Sequence, residues 1–164
     1  MEEILKKRRT LQETMNFMAA LSAGIEPILG RGANSMTMSA GRNLGREFSE
    51  NAKQTDDLLE AIDEVRRVLV ENNCLWLFEP FKPEGQAEMI TKNEKGESQV
   101  LLVFKDCMIR QALFRFGHPQ QGSLCNMMYG FFAGALENIM GKKANLEIKH
   151  AGENACLKVL TVQA

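Results

Sequence analysis

Three side chains in the C-terminal part of the chain have the types that bind zinc: Cys125, His150 and Cys156. Thiolate sulfur and imidazole nitrogen are common zinc ligands, and a helix followed by a two-stranded hairpin is able to bring three such groups together. Three protein ligands leave one tetrahedral position open. Plainer roles are also available, because buried cysteines behave as small apolar side chains and a histidine at a turn forms local hydrogen bonds. A redox-active thiol is a further alternative.

Other familiar catalytic patterns are missing from the sequence. Neither of the two histidines belongs to an H-E-x-x-H pattern or stands beside a nucleophile elbow. The glycine-containing segments 30–32 and 41–45 do not follow a strand or end in Lys-Ser/Thr, as phosphate-binding loops do. The sequence therefore lacks the usual signatures of hydrolysis and nucleotide binding.

A second group of side chains suits a pocket for an apolar ligand. The chain contains ten Met and nine Phe, so its apolar inventory is rich in adaptable side chains without oxygen. An ordinary hydrophobic core would contain the same residue types. The candidate ligand-binding residues are Trp76, Phe114, Met127, Met128, Phe131 and Phe132.

Composition excludes several classes of protein. A chain of 164 residues has the usual size of one domain, so we expect a single domain over residues 1–164. With 20 basic and 21 acidic residues there is no global charge that would attract nucleic acid. No apolar run reaches the roughly 20 residues of a membrane span. We expect a cytoplasmic protein with reduced cysteines and no nucleic-acid partner.

The elements that must position these residues follow from periodicity. The spacing of apolar residues predicts a helix from Glu2 to Leu21, interrupted after that by Gly24 and Pro27. A second helix is predicted over 34–48, and a third begins at Thr55, whose hydroxyl is suited to cap it. Asn72 and Asn73 are expected to end the third helix.

The remaining pattern is two strands, two helices and two strands, without strict alternation of strand and helix. Strands are predicted over 74–78 and 100–104, with an exposed loop or irregular hairpin tip over 80–97. A helix capped by Asp106 and ended by His118-Pro119 follows, then a helix capped by Ser123 and ended by Gly141. Alternating residues over 145–150 and up to 162 predict a terminal hairpin. The order predicts an α+β domain, with N-terminal helices packed on a small antiparallel sheet.

Two glycine pairs lie on helices. Gly41 and Gly45 share one face of the second helix, and Gly130 and Gly134 share one face of the last. Glycines four residues apart allow the close approach of another helix, a second subunit or a flat ligand. From the first pair and the amphipathic third helix we predict a homodimer packed through helices.

The C-terminal region resembles a known family. A helix there carries one cysteine and two glycines, and the hairpin that follows has a glycine turn and a closing cysteine. The residues of this pattern are Cys125, Gly130, Gly134, Glu147, Gly152 and Cys156. With this pattern, residues 99–164 resemble the 4-vinyl reductase domain of hydrocarbon-binding proteins. Where family members often place a Cys in the hairpin, this chain has His150.

The resemblance implies an apolar ligand pocket in a fold similar to that of vesicle-tether subunits. The family includes sensors of aromatic compounds and a component of bacteriochlorophyll biosynthesis, so fold analogy alone assigns no reaction. We expect a sensor or binding module for a hydrocarbon, acyl or tetrapyrrole-like molecule, without catalysis of its own. A homodimeric scaffold or assembly factor is the alternative, and a role as accessory to vinyl reduction rests on the family name alone.

The resemblance also bears on the hairpin register. Side chains alternate along strands, so a four-residue turn pairs His150 with Ala155 and turns Cys156 to the other face. The family pattern favours a five-residue turn or a bulge at Gly152, which places His150 opposite Cys156. If zinc is bound, we expect Cys125, His150 and Cys156 to be its ligands.

Overall fold

The computed structural model describes residues 2–74, 76–115, 117, 120–152 and 155–164. Within them the helices are α1 (Glu2–Leu29), α2 (Arg31–Phe48), α3 (Leu58–Glu71), α4 (Met108–Arg115) and α5 (Ser123–Met140). The strands are β1 (Leu77–Phe81), β2 (Ile90–Lys92), β3 (Ser98–Lys105), β4 (Ala144–Ala151) and β5 (Ala155–Val162). No helix among these residues has the length and apolar character needed to cross a bilayer.

The five strands form one antiparallel sheet, which confirms the predicted α+β class. Its order is β1-β3-β5-β4, and β2 pairs with the part of β3 that β1 leaves free. β1 starts later than predicted, at Leu77, and Leu75 of the predicted strand lies outside the described residues. The segment 80–97 was predicted to be a loop or an irregular hairpin tip. It is a hairpin, because β2 within it pairs antiparallel with β3.

One face of the sheet carries the core. Residues on β3 and β5 alternate between buried and partly exposed positions, as expected for strands with one covered face. The aromatic rings of Phe78, Phe104 and Phe132 pack against one another there, with ring centroids 5.0–5.6 Å apart. Phe132 belongs to α5, so this helix is the central element between the sheet and the other helices.

The glycine pairs pack α2 directly against α5. A Cβ atom at Gly41 or Gly45 would lie closer than 3.0 Å to the backbone of α5, and one at Gly130 or Gly134 would overlap the backbone of α2. Because successive glycines of α2 face successive turns of α5, the two helices run parallel. The glycines that suggested a dimer therefore contact a helix of the same chain, and the predicted homodimer needs another surface.

Polar contacts also join the C-terminal parts of α2 and α5. The guanidinium of Arg46 donates to the carboxylate of Glu137 at 2.5 and 3.1 Å, and Arg42 forms an ion pair with the same carboxylate at 3.5 Å. The amide of Asn138 donates to the backbone carbonyl of Arg46 at 2.8 Å. The two arginines thus hold α5 to α2.

The ends of α1 and the cap of α3 differ from the predictions by a few residues. α1 continues through Gly24 and Pro27 to Leu29. Proline in the final turn removes only one hydrogen bond of the helix. The cap of α3 is Asp57 instead of Thr55, because the Asp57 carboxylate accepts the backbone N–H groups of Leu59 and Glu60 at 2.8 and 3.0 Å. His118 and Pro119, predicted to end α4, lie outside the described residues.

The predicted hairpin exists, but the predicted pairing of His150 with Cys156 is wrong. His150 pairs with Leu157 and Ala151 pairs with Cys156. An irregularity between Ile148 and His150 shifts the register, so the extra residue is accommodated inside β4 and not at Gly152. His150 is consequently exposed, whereas Cys156 is buried on the core face. Glu153 and Asn154 of the turn lie outside the described residues.

Candidate functional site: an apolar cavity between α1, α4 and α5

An apolar cavity of about 300 Å³ lies between helices α1, α4 and α5 and the segment that leads into β1. Leu11 and Met18 in its lining are 54% and 44% exposed, so the cavity opens to solvent along α1. This volume is at the lower limit of ligand pockets, which span roughly 300–1,000 Å³. The lining residues are Leu11, Thr14, Met15, Met18, Asn73, Cys74, Trp76, Met108, Ile109, Ala112, Leu124 and Met127.

Helix α1 is fixed over the cavity by a buried polar contact with α5. The Glu26 carboxylate accepts the backbone N–H of Ser123 at 2.7 Å and its hydroxyl at 2.6 Å. The hydroxyls of Ser22 and Ser123 are also 2.6 Å apart. Ser123 was predicted to cap α5, but it is the first residue of the helix, and the Glu26 side chain supplies the acceptor that the free N–H needs.

The lining carries no charged side chain. Its polar groups are the Thr14 hydroxyl, the Asn73 amide, the Cys74 thiol and the indole N–H of Trp76. The Thr14 hydroxyl donates to the carbonyl of Thr10 at 2.9 Å, so its oxygen remains available as an acceptor. Burial raises the pKa of the Cys74 thiol, which keeps it protonated at neutral pH. Such a lining suits an uncharged molecule with few polar groups.

Only two of the predicted ligand-binding residues reach this cavity, Trp76 and Met127. Met128, Phe131 and Phe132 are fully buried in the core, where Phe131 contacts Trp76 edge to face with centroids 5.4 Å apart. Phe114 on α4 is 73% exposed and lies away from the lining. The aromatic stripe of α5 therefore builds the core, which is the alternative that the sequence left open.

Most of the lining residues that were not predicted belong to α1 and α4, and the others are Asn73, Cys74 and Leu124. Leu11, Met15 and Met18 follow one another at helical spacing, a pattern that any helix packed on a core shows. Ile109 and Ala112 likewise form the inner face of α4. Their spacing was available as a signal, but nothing in it distinguishes a cavity wall from a filled core.

The sheet separates His150 from the other two proposed zinc ligands. Cys125 and Cys156 are buried on the core side, and His150 is exposed on strand β4. Within the described part of the chain, no group of three His, Cys, Asp or Glu side chains is placed to hold a metal ion. Zinc binding by Cys125, His150 and Cys156 stays a prediction, and it requires a different hairpin register.

A lysine occupies the core beside these cysteines. Lys158 is 2% exposed, and its ammonium nitrogen lies 4.3 Å from the ring centroid of Phe104 and 4.8 Å from that of Tyr129. The Met128 sulfur is 3.0 Å away. Burial lowers the pKa of Lys158, and it raises the pKa of both Cys125 and Cys156. Burial thus favours the uncharged forms of all three groups.

No family model and no curated protein matches this sequence. Among solved structures, the fold is similar to the phenol-responsive sensory domain of the transcription activator PoxR, determined with phenol. The TM-score is 0.65 and the sequence identity is 18%, over 91% of this chain and 74% of that chain. The comparison shows a shared fold. Membership of the 4-vinyl reductase family stays a prediction.

Proposed function

We propose that this protein is a binding or sensor module for a small uncharged molecule, which occupies the apolar cavity between α1, α4 and α5. The observation that carries the proposal is the cavity itself, which opens to solvent along α1 and is lined by apolar side chains and a few neutral polar groups. An engineered apolar cavity of about 150 Å³ accommodates benzene, so about 300 Å³ has room for one or two aromatic rings.

The structural comparison supports the same class of ligand. The similar sensory domain responds to phenol, an uncharged ring with one hydroxyl group. In this chain, the lining groups able to orient one polar substituent are the Thr14 hydroxyl, the Asn73 amide, the Cys74 thiol and the Trp76 indole N–H. A ligand with a carboxylate group would find no basic side chain in this lining to pair with. We therefore infer an aromatic alcohol or a hydrocarbon of one or two rings as the ligand class.

Filling the cavity tests this proposal. Ala112 is 5% exposed and lies in the lining, so Ala112→Phe places a ring in the space that the ligand would take. We expect the wild type to bind 2-naphthol with one site per chain in isothermal titration calorimetry. The variant should bind at least about tenfold more weakly, which corresponds to about 1.4 kcal/mol.

Phe114→Ala is the matched control on the same helix. Phe114 points to solvent, so its removal changes apolar surface without changing the cavity. Its affinity for 2-naphthol should equal that of the wild type, and circular dichroism should show that all three proteins are folded. Equal affinities in the wild type and Ala112→Phe would place the ligand elsewhere and refute the proposal.

A further inference from the structure

A second cavity adjoins the one between α1, α4 and α5. Its volume of about 310 Å³ is similar to that of the first, about 300 Å³, and it lies between α3, β1 and the C-terminal end of β3. Cys74 and Trp76 line both cavities. The two spaces are therefore neighbours across these two side chains.

The second cavity is largely apolar. Leu69 and Phe78 in its lining are buried, and Val103 of β3 forms part of its wall. Val70 is 62% exposed and Leu77 is 58% exposed, so the cavity opens to solvent beside them. An apolar ligand group placed there would remove these side chains from water, which favours the bound state.

The basic side chains of this lining already have partners. Arg66 donates to the carboxylate of Asp63 at 2.6 Å and to the backbone carbonyl of Phe78 at 3.3 Å. The ammonium group of Lys105 forms an ion pair with the carboxylate of Glu79. An anionic ligand would have to displace these contacts, so an uncharged group suits the second cavity better.

The two shared side chains are not held by hydrogen bonds. Among the described residues, the Cys74 thiol and the Trp76 indole N–H have no hydrogen-bond partner. The Trp76 ring contacts Phe131 edge to face, with centroids 5.4 Å apart. Cysteine is also a small residue, so the wall is thinnest at Cys74. A small adjustment of these two side chains joins the cavities without breaking a hydrogen bond.

We propose that the ligand spans both cavities, with a phenol ring in the first and an unbranched alkyl chain that passes Cys74 and Trp76 into the second. The inference rests on the proposed function, and it narrows the ligand class to phenols that carry an alkyl chain opposite the hydroxyl group. Thr14 lines only the first cavity, so its hydroxyl is available to the phenol hydroxyl away from the chain.

Trp76 reports on binding at this wall, because it is the only tryptophan of the chain. Its fluorescence should be followed while phenol, 4-ethylphenol, 4-butylphenol or 4-octylphenol is added to the wild type below the solubility limit of each. Each methylene that enters an apolar site should tighten binding about fourfold, which corresponds to about 0.8 kcal/mol. We expect the gain to continue to 4-octylphenol, because the second cavity takes the end of the chain.

Two variants narrow the second cavity and leave the first unchanged. Val70 and Val103 line only the second cavity. Val70→Phe and Val103→Phe should each weaken binding of 4-octylphenol at least about tenfold, which corresponds to about 1.4 kcal/mol, and leave phenol binding unchanged. Ile28→Phe is the matched control, because Ile28 is 81% exposed on α1 and lines neither cavity. Circular dichroism should show that all three variants are folded.

The proposal is overturned if 4-octylphenol binds the wild type no more tightly than 4-ethylphenol does. It is also overturned if both narrowed variants bind 4-octylphenol as the wild type does. In either case, binding of 2-naphthol that Ala112→Phe weakens would still support the proposed function. A wild type that binds none of these phenols would overturn both.

Discussion

Replacing Gly41 with alanine is expected to lower the free energy of unfolding by about 3 kcal/mol. The added methyl group would lie closer than 3.0 Å to the backbone carbonyl of Met127, and neither backbone is able to yield without separating α2 from α5. Because α5 is also the centre of the core, separation would disturb its packing on the sheet. Urea unfolding followed by circular dichroism measures the loss.

Gly32→Ala is the matched substitution on the same helix. A Cβ atom there would meet nothing within 4 Å, and alanine has the higher helix propensity. This variant should therefore be unchanged or more stable by up to about 1 kcal/mol. If Gly41→Ala were as stable as Gly32→Ala, α2 and α5 would not pack through their glycines.

Replacing Lys158 with methionine is expected to raise the free energy of unfolding by about 1–3 kcal/mol, the usual cost of a buried polar group that lacks its full set of hydrogen bonds. Within the described residues no carboxylate pairs with the Lys158 amine. The Met128 sulfur and the aromatic rings beside it compensate only part of its lost hydration. Methionine has a similar length and no charge. The contacts with Phe104 and Tyr129 would be retained.

The gain in free energy of unfolding from Lys158→Met should depend on pH. Burial lowers the pKa of Lys158 in the folded state, so folding opposes its protonation at any pH below the ordinary lysine value of about 10.4. The advantage of the methionine variant is therefore largest at low pH and shrinks as the pH rises toward that value. Lys149→Met, an exposed change on the neighbouring strand, should stay within about 0.5 kcal/mol of the wild type. A destabilised Lys158→Met variant would show that the amine has a partner that the contacts above do not include.

Local patterns were sufficient to predict much of this fold. The end of α5 follows from Gly141, whose φ of 66° is the left-handed conformation that glycine adopts at helix ends. The alternation in β5 and the polar-to-apolar change after Asn72 are likewise properties of a few consecutive residues. Each of these signals depends on contacts within one element.

The site depended on contacts between distant elements, which periodicity does not encode. Gly41 carries the same signal whether its partner is α5 or a second chain. Phe114 and Phe131 are both aromatic residues at helical positions, yet one faces solvent and the other fills the core. The register at His150 turned on one irregular residue inside β4, and a shift of a single residue moves a side chain to the opposite face of a sheet.

The most direct test of the central claim is the position of a bound ligand. Crystals soaked with 4-bromophenol should show one anomalous bromine peak per chain, inside the cavity between Met15, Ile109 and Met127. The same peak should be absent from crystals of the Ala112→Phe variant. A bromine peak outside the α1, α4 and α5 walls, or none at a concentration that saturates binding in solution, would contradict the account.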